Sequence, residues 1–452
     1  MGLHQLPAEL QLEICTFLDN ISLKAARAVC KKLRDNASPA LFRSIVACAR
    51  YEALGAFQNI SINSILQTYV KEIVFDGSIY SPGPAMNEQV YEREAQKFEN
   101  LQQTSFWGNR TRSVYLVYMV SELQLMRHRW KRYKALYMEQ EDMKLDGVLL
   151  QTMAKGLEWT TNVASIVYSP HPHLLPTESK VMRDLLPRGT LIDSPHFHAS
   201  QLSAHSSGHP FRFLIGALYV AQYTGVRELR IKPLRAGEPG TPFTLTIFDF
   251  PDAVDFKAGA YLFQRLERCE LHFMSWIEEN EVGKQRITNL RKMLAAAEEL
   301  RNLALHFTDS MSDHEAMAIL QSGSERTMIS RLGLAGTWPK LRSLSLGGIY
   351  VQAEQLLDFI RRHRYTMNSL FLSKSGLDTG YWADIVDEVL YSTRILSFEV
   401  DRVREMRIPV GDGTVESTEE LQVWHYEGHV KVSKDGERNF VSAIHACGYQ
   451  TV

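Results

Sequence analysis

Histidines crowd one stretch of the sequence, and their side chains are suited by type to metal binding. Imidazoles two residues apart in sequence reach a common metal ion. No acidic residue or cysteine joins them at a recognised zinc spacing. We therefore interpret the stretch as a solvated, histidine-rich loop and predict no metal and no cofactor. The stretch and its surroundings contain His171, His173, His196, His198, His205 and His209.

Other residue patterns give no sign of catalysis. The glycine-containing segments 237–240 and 411–413 lack the Lys-Ser/Thr pair and the strand–helix context of a phosphate-binding loop. The sequence has no G-x-S-x-G or H-E-x-x-H motif. We predict Cys30 and Cys48 on apolar helical faces, where burial raises the pKa of a thiol and disfavours nucleophilic chemistry. The sequence therefore predicts that the chain is not an enzyme. A rival reading is an enzyme whose site forms no sequence motif.

Composition restricts the partners. Lys plus Arg number 50 and Asp plus Glu number 52, a balance that argues against a surface built for nucleic acid. The basic, aromatic segment 127–134 is followed closely by acidic residues. It therefore predicts a charged helix packed through Trp130 and Tyr133, with binding to an anionic partner as the alternative.

The expected cellular location rests on two kinds of segment, a signal peptide and a membrane-spanning helix. The sequence has no signal peptide, and no apolar run of about 18 residues long enough to span a membrane. The five cysteines form no C-x-x-C pair, and their number is odd, as is typical of a reduced chain. We expect an intracellular protein, cytoplasmic or nuclear, with no membrane partner.

Residues 5–45 predict three short helices. Pro7 suits the first turn of a helix, where a missing N–H costs nothing. Ser22 and Ser38 are predicted N-caps of the second and third helices. Helices in a segment this short do not build a stable core alone. They either cap the domain that follows or form one half of an interface with a partner.

The same residues resemble an F-box. The match consists of Leu6-Pro7-x-Glu9-Leu10-x-x-x-Ile14-x-x-x-Leu18, then Ala25-x-x-x-Val29-Cys30-Lys31-x-Leu33-Arg34, and the closing Pro39-Ala40-Leu41-Phe42. Leu33 stands where many F-boxes have Trp. The resemblance implies docking on a Skp-type adaptor, and through it on cullin and RING subunits. The adaptor-facing set that it implies is Leu6, Pro7, Leu10, Ile14, Val29 and Cys30.

Apolar residues at offsets 0, 3 and 5 recur along the rest of the chain. This spacing resembles leucine-rich repeats, in which a short strand and a helix alternate to form a parallel-sheet solenoid. We predict that these strands lie parallel and in chain order. The alternative is an ordinary α/β domain with chance similarity among its strands. Copies begin at 70, 163, 226, 266, 300, 341, 367 and 393.

The predicted fold class is therefore α/β: a short all-helical F-box followed by an irregular leucine-rich-repeat-like solenoid with a helical insertion. The predicted division is an F-box at 1–45, a linker and first repeat-like strand at 46–80, and a helical insertion at 81–160. A repeat domain at 161–452 follows and closes with a hairpin cap near 421–432.

The function predicted from these patterns is substrate recognition in an SCF-type ubiquitin ligase. The F-box would bind the adaptor, and the repeat domain would bind an unknown target protein. The alternative is an F-box-bearing scaffold without a role in ubiquitination. Candidate target-binding residues are the strand residues Arg342, Ser345, Ser369 and Phe371 and the loop aromatics Tyr350, Tyr381 and Trp382, and the sequence does not choose between them.

Overall fold

The computed structural model describes most of the chain, in segments. They are residues 6–77, 80, 82–93, 115–169, 210–231, 245–273, 281–307, 332–334, 336–392, 394–407, 422–433 and 449–450. The chain divides into two compact units, Met1–Phe243 and Thr244–Val452. Among the described residues, no helix is both long and apolar enough to cross a bilayer.

Three helices open the first unit, as predicted, but their limits differ from the prediction. The second helix begins earlier because Asp19, not Ser22, is its N-cap: Asp19 Oδ1 accepts a hydrogen bond from the Ser22 amide at 2.7 Å. Ser38 does not cap a separate helix, because Pro39 is accommodated inside the third helix near its end. The helices are α1 (Ala8–Thr16), α2 (Asn20–Val29) and α3 (Lys31–Leu41).

Four parallel strands follow within the first unit, paired in chain order. The first of these strands was predicted as linker, and the predicted F-box boundary at residue 45 falls inside that strand. The strands are β1 (Ser44–Cys48), β2 (Glu72–Asp76), β3 (Ser165–Ser169) and β4 (Glu228–Ile231). The intervening helices are α4 (Tyr51–Ile62), α5 (Leu66–Tyr69), α6 (Pro82–Met86), α7 (Tyr115–Asp146), α8 (Val148–Trp159) and α9 (Pro210–Val220).

The described residues between β2 and β3 include the helices α6, α7 and α8, and α7 contains the basic, aromatic stretch. Tyr133 is fully buried, and the Trp130 indole N–H donates to the Pro84 carbonyl at 3.1 Å. The stretch therefore packs through these two aromatic residues. Gly147 separates α7 from α8 with φ +63°, a conformation that glycine adopts without steric cost.

The second unit also contains a parallel sheet, in which β5, β6, β7, β9 and β11 are neighbours in chain order. Leu303 pairs with Leu344, and Leu344 pairs with Leu370. The predicted parallel order of these strands is confirmed. The strands are β5 (Arg268–Phe273), β6 (Asn302–Phe307), β7 (Ser343–Gly347), β8 (Tyr350–Gln352), β9 (Ser369–Ser373), β10 (Gly376–Thr379), β11 (Ser397–Arg407), β12 (Gln422–Ser433) and β13 (Tyr449–Gln450).

Helices alternate with these strands. A 3₁₀ turn at Leu245–Phe248 precedes the first of them. The helices are α10 (Ala253–Phe263), α11 (Glu281–Ala296), α12 (Ala353–Arg362) and α13 (Trp382–Ser392).

In the second unit, β6, β7, β9 and β11 begin with the same backbone arrangement. The Arg301 carbonyl accepts hydrogen bonds from the Arg342 and Ser343 amides at 2.7 and 3.0 Å. The Arg342 carbonyl accepts from the Asn368 and Ser369 amides at 2.7 and 3.0 Å. The first unit repeats this arrangement at β2, β3 and β4. The apolar residues at offsets 0, 3 and 5 are buried in each case. The same strand start and the same buried pattern therefore recur in both units of the chain.

Three details of the second unit differ from the prediction. The last copy uses Ile395, Phe398 and Val400, not a copy begun at 393, because Leu396 is exposed and Ile395 is buried. The predicted hairpin near 421–432 is the single strand β12, which pairs antiparallel with β11. The short strands β8 and β10 were not predicted. Strand β10 pairs with β8 on one side and with the far half of β11 on the other.

Candidate functional site

The three amino-terminal helices share a small apolar core. Most of its members have small side chains, and only two are leucines. The core is therefore small, as expected for a segment of this length. Leu18, Ala40 and Phe42 pack partly against it. The fully enclosed members are Cys15, Leu23, Ala26, Ala37 and Leu41.

Polar contacts fix the helices where the apolar core is thin. Gln11 is fully buried; its amide nitrogen donates to the Leu6 carbonyl at 2.8 Å, and its oxygen accepts from Asn36 at 2.7 Å. The Lys32 ammonium also donates to the Leu6 carbonyl, at 3.0 Å. Buried side-chain amides are costly unless bonded, so these contacts hold α1 against α3 in one arrangement.

The residues predicted to face the adaptor all retain exposed surface. Leu6 and Ile14 are half-buried, while Pro7, Leu10, Val29 and Cys30 are exposed. The placement of Cys30 and Cys48 on apolar helical faces is wrong. Cys30 is exposed at the junction of α2 and α3, and Cys48 is buried at the end of β1, where desolvation raises the pKa of its thiol.

Five large apolar side chains on these helices are exposed. Phe17 is 82% exposed, Ile21 64% and Val29 67%. Leu10 and Leu12 are also exposed. A small domain leaves such a set in water at a cost, unless a partner covers it. We call these five residues the apolar docking set.

Four members of the docking set, Leu10, Phe17, Ile21 and Val29, follow helical spacing together with two other residues, Ile14 and Ala25. Leu10, Ile14 and Phe17 are four and three residues apart and lie on one face of α1 and its end. On α2, Ile21, Ala25 and Val29 recur every fourth residue, and all three are exposed. Each helix therefore carries an apolar stripe beside the one that builds the core.

The candidate set predicted from the sequence did not include Leu12, Phe17 and Ile21. The core position on α1 is occupied by Cys15. One feature of the sequence could have indicated an exposed apolar surface: α1 has more apolar residues than a single buried face accommodates. The buried face was hard to identify because it includes Gln11, and glutamine is rarely a core residue.

Comparison with protein families agrees with this placement. Residues 3–47 match the family model described as F-box-like. The match spans all three helices and most of β1. The chain therefore carries an F-box-like domain at its amino-terminal end, and this assigns these helices a role in protein–protein interaction. F-box domains generally bind Skp-type adaptors. A comparison of the chain with curated proteins finds no match.

A second cluster of polar residues lies on the half-exposed face of the sheet in the second unit. The His272 and His306 rings stack with centroids 4.8 Å apart. His272 Nε2 lies 2.9 Å from Glu270 Oε1, and His306 Nε2 lies 2.9 Å from Ser345 Oγ. Burial, with His272 as a second cause, lowers the pKa of His306 to about 4. So weak a base is poorly matched to general-base catalysis at neutral pH.

The histidines predicted to form a loop lie outside the described residues, from 171 to 209. Among the residues that the structure describes, no group of three His, Cys, Asp or Glu side chains is arranged to hold a metal ion. Cys15 and Cys269 are buried, and burial raises the pKa of both thiols.

Proposed function

We propose that the chain is a substrate receptor of an SCF-type ubiquitin ligase. It docks on a Skp-type adaptor through the F-box-like helices and binds a target protein through the rest of the chain. The observation that carries the proposal is the apolar docking set, five large side chains exposed on a domain that matches the F-box-like family.

The physical argument rests on area. Covering an exposed Phe, Ile or Val is worth about 1.5–3 kcal/mol per fully buried side chain. Phe17, Ile21 and Val29 are each more than half exposed, so a partner that covers all three gains several kcal/mol. Because the side chains already stand out from a folded helix pair, little ordering cost opposes the gain.

The sheets support a role in target recognition. The recurring strand starts and buried 0, 3 and 5 positions are the features on which we propose a leucine-rich-repeat-like solenoid. Solenoids offer extended surfaces over which a partner spreads its contacts. The receptor would contribute proximity, by raising the effective concentration of target lysines near a ubiquitin-charged enzyme held by the RING subunit.

Reconstitution tests the proposal. The purified chain is mixed with a Skp-type adaptor, a cullin and a RING protein and analysed by size-exclusion chromatography. We expect a single assembly that contains all four proteins, in which the chain is retained only when the adaptor is present.

The same experiment separates the two candidate roles. A chain that binds the adaptor yet excludes the cullin would be a scaffold, and the ligase assignment would then be wrong. A chain that binds neither adaptor nor cullin would remove the basis of both roles.

A further inference from the structure

Two arginines in the second unit share one exposed tyrosine. The Arg364 guanidinium lies 4.5 Å and the Arg394 guanidinium 5.8 Å from the centroid of the Tyr365 ring. The Arg394 amide also donates to the Arg364 carbonyl at 3.3 Å, so the backbone holds the two residues together. Tyr365 itself is 65% exposed.

Neighbouring basic residues are engaged elsewhere. Arg361 forms two hydrogen bonds with the Glu388 carboxylate, at 2.9 and 2.7 Å. Arg362 donates to the Leu334 carbonyl at 3.1 Å. His363 is buried and accepts from the Trp338 amide at 3.1 Å. In the run 361–364, Arg361 and Arg362 are exposed but bonded to other residues, His363 is buried, and Arg364 lies against the tyrosine.

Arg364 and Arg394 form no ion pair with any carboxylate in the described part of the chain. The two guanidinium carbons are at most about 10 Å apart, the sum of their distances to the shared ring. Two like charges this close repel, and an anion placed between them relieves the repulsion. The pair therefore carries two positive charges that form no ion pair with a described carboxylate.

The surroundings extend this site along one edge of the sheet. The Arg342 carbonyl accepts from the Asn368 amide, and the Asn368 carbonyl accepts from the Leu396 amide, so these three residues follow one another where β7, β9 and β11 begin. Arg342 is exposed, and Leu396 is 54% exposed. The edge where these strands begin therefore carries one more exposed arginine, Arg342, and one exposed apolar side chain, Leu396.

We propose that this edge binds an acidic, extended segment of a partner protein through two carboxylates on alternate residues. Guanidinium groups bind carboxylates through paired, charge-assisted hydrogen bonds. Side chains two residues apart on an extended segment are about 7 Å apart and project from the same face. This spacing lies within the upper limit of about 10 Å on the separation of the two guanidinium carbons, which follows from their distances to the shared ring. Leu396 would contact the residue next to the acidic pair.

This inference rests on the proposed function in one respect: the bound segment is taken to belong to a target protein.

A protein segment fits this edge better than nucleic acid does. Affinity for duplex DNA comes largely from many phosphate contacts, on the order of 6–10 in a typical complex. Here Arg301 is paired with Glu267, and Lys340 is paired with Glu299, so the basic surface that remains is local.

Fluorescence polarisation with the full chain tests the proposal. The probe is a fluorescein-labelled peptide with the core Glu-Leu-Glu between Gly-Ser spacers, and its control has the core Gln-Leu-Gln. We expect saturable binding of the acidic peptide only. R364Q and R394Q should each weaken it about tenfold, since each removes a charge-assisted pair. R361Q is the matched control: it removes the same charge from the same run, and it should change the Kd less than about twofold.

Several results would overturn the inference. The first is that the unaltered chain binds the Gln and Glu peptides equally. The second is that the double variant R364Q/R394Q binds the Glu peptide as tightly as the unaltered chain does. The third is that R361Q loses as much affinity for the Glu peptide as R364Q and R394Q do. Tighter binding of a single-stranded DNA oligonucleotide of the same charge through the same arginines would identify the partner as nucleic acid instead. Adaptor binding by the double variant should be unchanged. A chain that binds the peptide but no adaptor would therefore refute the proposed function alone.

Discussion

The apolar docking set makes the most specific prediction. Replacing Phe17, Ile21 and Val29 together by alanine removes side chains that are 82%, 64% and 67% exposed in the free chain. Full burial of such a side chain is worth about 1.5–3 kcal/mol. Scaled by exposure, and with the alanine methyl retained, each loss is about 1–2 kcal/mol, or roughly tenfold in Kd. The triple variant should bind the adaptor about 10²–10³-fold more weakly, since interface losses are not strictly additive.

The stability of the variant must be measured alongside its affinity. Substitutions at exposed positions usually change the free energy of unfolding by less than about 0.5 kcal/mol, so the variant should melt like the unaltered chain. Leu145→Ala and Val220→Ala are matched controls, because they truncate exposed aliphatic residues outside the F-box-like domain. Biolayer interferometry with an immobilised Skp-type adaptor measures the affinity. A triple variant that binds within threefold of the unaltered chain would refute the assignment of this surface.

Three further predictions concern stability, each measured by urea denaturation. Asp19→Ala removes the cap that accepts from the Ser22 amide, and it should cost about 1 kcal/mol; no change would mean that α2 does not depend on this cap. Leu344→Ala empties a fully buried position in the second sheet, so it should cost about 2–5 kcal/mol; a loss below about 1 kcal/mol would contradict the packing. The pKa of His306 is about 4 in the folded chain and about 6.5 when unfolded, so the unfolded state takes up the proton first as pH falls. Stability should therefore decline from pH 6.5 toward pH 4 by up to about 3 kcal/mol, and H306Q should flatten that decline; an unchanged slope would exclude His306 as its source.

The sequence predicted the strands well because their pattern is local. The offsets 0, 3 and 5 identify the buried side of a strand without knowledge of the rest of the fold. Leu344 and Leu370 accordingly lie on neighbouring parallel strands, as predicted, and the structure pairs them in register. The pattern failed at 393–396, where Leu396 fits the spacing as well as Ile395 does, and only packing distinguishes them. Strand β1 was missed because it follows a helix ending in Leu41 without a turn signal.

The candidate docking surface was harder to predict than the fold. Core residues and interface residues are both apolar, so residue type alone does not distinguish the buried Cys15 from the exposed Phe17. Leu6 was predicted as an adaptor-facing side chain, but its backbone carbonyl also links α1 to α3 by accepting hydrogen bonds from Gln11 and Lys32. The Arg364–Tyr365–Arg394 arrangement depends on a contact across two strand connections, which no local pattern encodes.

Amide hydrogen–deuterium exchange of the full chain, with and without a Skp-type adaptor, tests the central claim most directly. Exchange slows where binding suppresses local opening of the backbone. The proposed docking mode predicts adaptor-dependent protection in α1 and α2, with little change in β5 to β11. Protection confined to the second unit, with none in residues 6–47, would contradict the proposal that the F-box-like helices dock on the adaptor.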